Sequence, residues 1–155
     1  MRRAGINRRQ LQRTISRGLK SSLGKTIEIK AQREVKRAKA LMLMAFNEHP
    51  VTKEIENGPG ANNSSGTLGG VGNLFSFLGF DNSDKPISPV RRLLEQSTRL
   101  TSVKKTSGDK LAFEIIIQLP NKEDIAAQSP LPWAAARSWV IGIEQGLSGF
   151  GTFLA

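Results

Sequence analysis

Cysteine is absent from the 155 residues, and histidine occurs once, as His49. The first absence excludes disulfides, thiolate metal sites and cysteine nucleophiles, and fits an intracellular folding compartment. The second leaves no histidine-based metal cluster, and any Ser/His/acid triad would have to use His49. Hydrophobic residues reach only 38%, below the usual globular share, while 15 glycines point to much loop. Aromatics are scarce as well: none precedes Phe46, so the N-terminal part carries no base-stacking platform. Long apolar runs are missing. Residues 131–155 are interrupted by Arg137, Glu144 and four glycines, which is no membrane span. The basic N-terminus has no apolar segment behind it, so a signal peptide is not expected.

Acidic residues are also missing from one end. Residues 1–40 hold 13 Lys/Arg against Glu28 and Glu34, a net of +11; the other 115 hold 10 against 11, a net of −1. A near-neutral domain with a basic arm implies a polyanionic partner, such as nucleic acid, an anionic membrane or an acidic protein surface, or else a solvated basic helix face.

The arm reads as a helix over residues 8–47 with Asn7 as its N-cap. Leu11, Ile15, Leu19, Leu23, Ile27, Ala31, Val35, Ala38, Met42 and Ala45 follow helical spacing as one stripe. Arg9, Arg13, Arg17 and Lys20 form a basic face away from Leu11. Gly18 and Gly24 predict a break near residues 22–25, and Pro50 ends the helix. Thr52 is positioned to cap a short turn, TKEIEN. The segment GPGANNSSGTLGG follows, a loop at about residues 57–72 that is longer than ordinary connections. It leads into NLFSFLGF (73–80), which reads as a strand with both faces apolar. Ser88-Pro89 opens a helix through about Gln96. Residues 98–105 and 110–119 form a β-hairpin about the turn SGDK, with Leu111, Phe113, Ile115, Ile117 and Leu119 on one face. Asn121 caps a short helix through Ala127, and residues 137–144 read as a last strand with Trp139, Ile141 and Ile143 on one face. The fold class is α+β: a long basic N-terminal helix followed by a small, mostly antiparallel sheet with one or two short helices. The domain division is a helical arm over 1–48 and an α+β domain over 49–155.

Chemical motifs fail on inspection. Gly18…Gly24-Lys25-Thr26 has Leu19 where a phosphate-binding loop needs its first glycine. Gly58-x-Gly60, Gly70-x-Gly72 and Gly149-x-Gly151 lack the third glycine of the dinucleotide fingerprint. Ser64 or Ser65 with Glu54 sits on no nucleophile elbow, and Glu123-Asp124 suits the first turn of a helix. No catalytic, cofactor-binding or metal residue is assigned, and the chain is expected not to be an enzyme.

Several strings resemble the tail-completion and head–tail joining (neck) proteins of tailed bacteriophages. These are Pro50-Val51-Thr52, then Ser65-Gly66-Thr67-Leu68 before the Leu74–Phe80 segment, and the late Trp139-Val140-Ile141-Gly142-Ile143-Glu144-Gln145-Gly146. The likeness covers most of the chain in layout and about thirty residues in motif. The chain departs from the pattern in its longer insert between Pro50 and Thr67 and in its basic arm. The resemblance implies a virion protein, made in the host cytoplasm, whose copies form a ring of six or twelve. The ring would sit between portal or adaptor and tail tube and let the genome pass. Asn62, Asn63, Ser64, Thr67 and Leu68 would then lie in a loop that orders only against a neighbouring subunit. The basic face would meet packaged DNA or an acidic connector, with no membrane involved. The reading from charge alone is a sequence-independent nucleic-acid-binding protein that uses the basic arm.

Overall fold

The computed structural model describes residues 8–106 and 112–146, without the side chains of residues 8, 9, 11–17 and 19–21. The architecture is α+β. In chain order come α1 (Arg8–Glu48), α2 (Pro50–Glu56), a 3₁₀ turn (Gly58–Gly60), α3 (Leu74–Phe77) and α4 (Ile87–Ser97). Then follow β1 (Arg99–Lys105), β2 (Phe113–Gln118), α5 (Lys122–Ala127), β3 (Pro130–Leu131), β4 (Ala134–Ser138) and α6 (Trp139–Glu144). The described strands make two separate pairs, β1 with β2 and β3 with β4, rather than one sheet.

The chain packs as two compact units, residues 1–37 with 100–117 and residues 38–99 with 118–155. This differs from the division at residue 48 read from the sequence: α1 is shared, and the hairpin goes with its N-terminal part. In the first unit α1 passes through Gly18 and Gly24 without the expected break. Its apolar row is built on steps of four, so it winds round the helix by about 40° per step rather than forming one stripe. Ala31 is buried and Ile27 and Val35 are half-buried, while Ile29 is 60% exposed. At Gly24 an added Cβ would meet the Phe113 ring at 3.9 Å, an ordinary contact. Gly24→Ala is therefore expected to stabilise the helix by about 1 kcal/mol, seen as a higher thermal midpoint in circular dichroism.

The second unit holds the main core of Ile55, Leu74, Phe75, Leu78, Ile87, Val90, Leu131 and Trp139. Pro50 does end α1, since His49 is extended (φ −62°, ψ 132°), but the same proline starts α2 at once. Proline is well placed there because the first helical residue needs no N–H. Thr52 consequently lies buried inside α2 rather than capping a turn. Arg91 on α4 clamps the neighbouring helices. Its Nε donates to Asn47 Oδ1 at 2.8 Å, and its Nη2 donates to the two Glu56 carboxylate oxygens at 2.8 and 2.9 Å.

Two segments read as strands are helices, and in both cases the caps decide. Asn73 Oδ1 accepts from Ser76 N at 2.9 Å and starts α3. At the other end Gly79 N donates to Ser76 O and Phe80 N to Phe75 O, the paired bonds of a Schellman ending. The Phe75 and Phe80 rings then meet at 5.5 Å. Helical spacing buries Leu74, Phe75 and Leu78 together, which a strand would place on opposite faces. Likewise Ser138 Oγ accepts from Ile141 N at 3.2 Å and starts α6. Trp139 is buried, while Val140 and Ile143 pack against the core.

The two strands of the expected hairpin are present, with Thr106 N donating to Ala112 O at 2.9 Å. Its turn SGDK and Leu111, like the expected α1 cap Asn7, lie outside the described residues. α5 stands where it was expected, and its capping box joins Asn121 and Asp124. α4 begins at Ile87 with Pro86 at its N-cap, two residues before the expected cap Ser88.

Candidate functional site

Glu54 is fully buried on α2 and is the centre about which the glycine-rich loop is wound. Its Oε1 accepts from Asn63 Nδ2 at 2.9 Å and from Leu74 N at 2.8 Å, and its Oε2 accepts from Ser65 N at 2.9 Å. Burial works against the charge. Hydrogen bonds from Ser65, Asn63 and the Leu74 backbone outweigh it and hold the carboxyl below the ordinary glutamate value. Asn63 is the second pivot, because its Oδ1 accepts from Leu68 N and Gly70 N, each at 3.1 Å. Ser65 and Thr67 hydroxyls bond to each other at 2.8 Å.

Of the candidate loop residues, Asn63, Thr67 and Leu68 are turned inward and half-buried, while Asn62 and Ser64 are exposed. Hydrogen bonds within the chain hold this loop around Glu54 and Asn63. The signal available in the sequence was the run Asn62–Thr67 itself. Several neutral donors close together call for acceptors, and a carboxylate, with two oxygens and about four lone-pair sites, meets them well. Glu54 is thus committed to the loop and does not pair with His49, which is exposed at the start of α2. Among the described residues no group of three or more His, Asp or Glu could hold a metal ion.

Charge divides along the same line as the fold. The first unit holds 15 Lys/Arg against four Asp/Glu, a net of +11; the second holds eight against nine. Arg9, Arg13, Arg17 and Lys20 all lie on α1, with side chains outside the description. Further along, Lys25, Arg33 and Lys36 are exposed and fall across the helix from Ile27, Ala31 and Val35. The same unit carries the uncovered apolar strand β2, in which Ile115, Ile116 and Ile117 are 46, 37 and 47% exposed. Sequence alternation made one face of this strand a core face; Phe113 on it is half-buried beside Gly24 of α1, whereas Ile115 and Ile117 on the same face and Ile116 on the other are exposed.

In comparisons with family models, curated proteins and solved structures, the chain matches none. No described helix is long and apolar enough to cross a membrane. The second unit has one further feature of interest, an apolar groove of about 480 Å³ lined by Phe46, Val51, Val90, Leu94, Trp139 and Ile143, with His49 at the same site.

Proposed function

We propose that this chain is a structural virion protein. Its copies form a ring in the neck or tail-completion region of a tailed phage, joining portal or adaptor to tail and leaving a passage for the genome. The observation that carries this reading is the helix–hairpin unit, which combines net charge +11 with exposed Ile29, Ile115, Ile116 and Ile117. Apolar surface left open beside strong charge suits a fold completed by neighbouring subunits, with the cations facing DNA or an acidic connector. The loop strings that carry the phage resemblance support it too. Pro50-Val51-Thr52 open α2, which carries Glu54, and Ser65 and Leu68 of the second string are held by Glu54 and by Asn63. The structure adds two departures from the family pattern: the loop leads into a helix, α3, and the late Trp139–Glu144 string is the helix α6, where the pattern has strands.

Light scattering of the purified chain at low and high salt tests this. A mass of about six or twelve subunits that resists salt is expected, because apolar contacts are not screened. A monomer at every concentration and salt would overturn it in favour of the second reading, sequence-independent nucleic-acid binding, which the exposed Lys25, Arg33 and Lys36 favour. That reading expects duplex affinity to fall on the order of 10³-fold between 50 and 200 mM salt if about six phosphates are neutralised. It also expects deletion of residues 1–25 to abolish duplex binding.

A further inference from the structure

The hairpin has an edge that its own sequence leaves unguarded. Among the described residues β2 pairs with β1 alone. Exposed strand edges are usually blunted by lysine, proline or a bulge. The cations here sit on β1, as Arg99, Lys104 and Lys105, while β2 reads FEIIIQ. Its three consecutive isoleucines put uncovered apolar groups on both faces. A lone two-stranded hairpin is marginal in water, and a third and fourth strand would pair the open backbone edge of β2 and set its isoleucines against cross-strand neighbours.

We propose that β2 pairs edge to edge with β2 of a second copy, antiparallel and centred on Ile116. The strand is self-complementary in this register. Ile116 falls opposite Ile116 of the second copy, Ile115 opposite Ile117, and Glu114 opposite Gln118. The last pairing is the decisive one. Gln118 Oε1 already accepts from Arg99 Nε at 3.0 Å, so its amide N–H groups and the Arg99 guanidinium meet the incoming carboxylate. Both strand ends satisfy this at once, because the contact is two-fold. A parallel arrangement would set Glu114 against Glu114, and like charges directly opposite are destabilising. The cations of β1 end up on the outer strands of the four. Three strand spacings, about 14 Å, then separate them, beyond a Debye length at physiological salt. The pairing does not rest on the ring reading, since a two-fold contact pairs copies whether or not a ring closes.

The absence of cysteine makes the test clean. In Ile116→Cys the single thiol faces its own image across the two-fold axis. Directly opposed strand residues lie about 4.5–5.5 Å apart at Cα, within disulfide range. Mild oxidation at micromolar protein should give a covalent dimer about 100-fold faster than the exposed β1 control Thr101→Cys, because paired thiols see an effective concentration near millimolar. Mixing Ile115→Cys with Ile117→Cys should give the heterodimer in preference to either homodimer. Both positions are exposed, so circular dichroism should be unchanged. Glu114→Arg should slow the Ile116→Cys reaction at least about tenfold by setting cation against Arg99. Cross-linking of Ile116→Cys no faster than Thr101→Cys would overturn the proposal. So would indifference to Glu114→Arg, or Ile115 and Ile117 thiols that prefer their own kind.

Discussion

Glu54→Ala is expected to cost roughly 2–5 kcal/mol, the penalty for leaving buried backbone donors without their charged acceptor. The substitution strands the Leu74 and Ser65 N–H groups and takes from the Asn63 amide its closest acceptor, leaving it Ser65 Oγ and Thr67 Oγ1, each at 3.4 Å. A buried donor left without a partner loses its full desolvation cost, on the order of 1–3 kcal/mol each, which is why the sum is large. Glu54→Gln keeps the shape but turns one acceptor oxygen into a donor among donors. It should fall between wild type and alanine. Denaturant unfolding at neutral pH measures both, and limited proteolysis within residues 57–72 should rise in the same order. The carboxyl titrates below its ordinary value of 4.5 in the folded state. A depressed folded pKa means that the contribution is complete above 4.5 and is lost as pH falls through the folded value. Wild type should therefore lose stability more steeply in that acid window than Glu54→Gln. Parallel pH curves for the two proteins would contradict the assignment.

Gly79→Ala is the other substitution with a large expected effect. Gly79 closes α3 at φ 78°, where a side chain strains the backbone, and a Cβ there would stand 3.0 Å from Trp133 Cδ1. Trp133 cannot simply swing away without cost, because its Nε1–H donates to Leu78 O at 3.1 Å. Backbone strain of about 1–2 kcal/mol and a steric cost of about 1–3 kcal/mol add to roughly 2–5 kcal/mol. Gly58→Ala is the matched control, since Gly58 has φ 75° with nothing within 4 Å of the added Cβ. It should show the backbone share alone. Thermal unfolding compares the two, and tryptophan fluorescence should shift only in Gly79→Ala.

What could be read from the sequence was whatever depends on neighbours in sequence. Asn121 with Asp124 announces a helix, Pro50 stops one, and the alternation Phe113–Ile115–Ile117 announces a strand. The misread segments, 73–80 and 137–144, are short and apolar on every side. Periodicity cannot separate a buried strand from a buried helical turn there. The information lay in single capping residues, Asn73, Gly79 and Ser138, which carry no periodic signal. Glu54 was hidden for another reason. Nothing beside an acid in TKEIEN says that its partners stand nine to twenty residues downstream. The edge of β2 is a third case, because the sequence shows an apolar face but not that the fold leaves it open.

The wiring of Glu54 also bears on the order of events during folding. Its partners Asn63, Ser65 and Leu74 lie nine, eleven and twenty residues away. Closing such short spans costs little chain entropy compared with bringing in Leu131 or Trp139, more than fifty residues beyond α3. The segment from Pro50 to Phe80 is thus expected to gather first, as a local cooperative piece, and to serve as the template on which the later helices condense. A loop rich in glycine and asparagine, ordinarily the last part of a chain to settle, would here belong to the earliest structure.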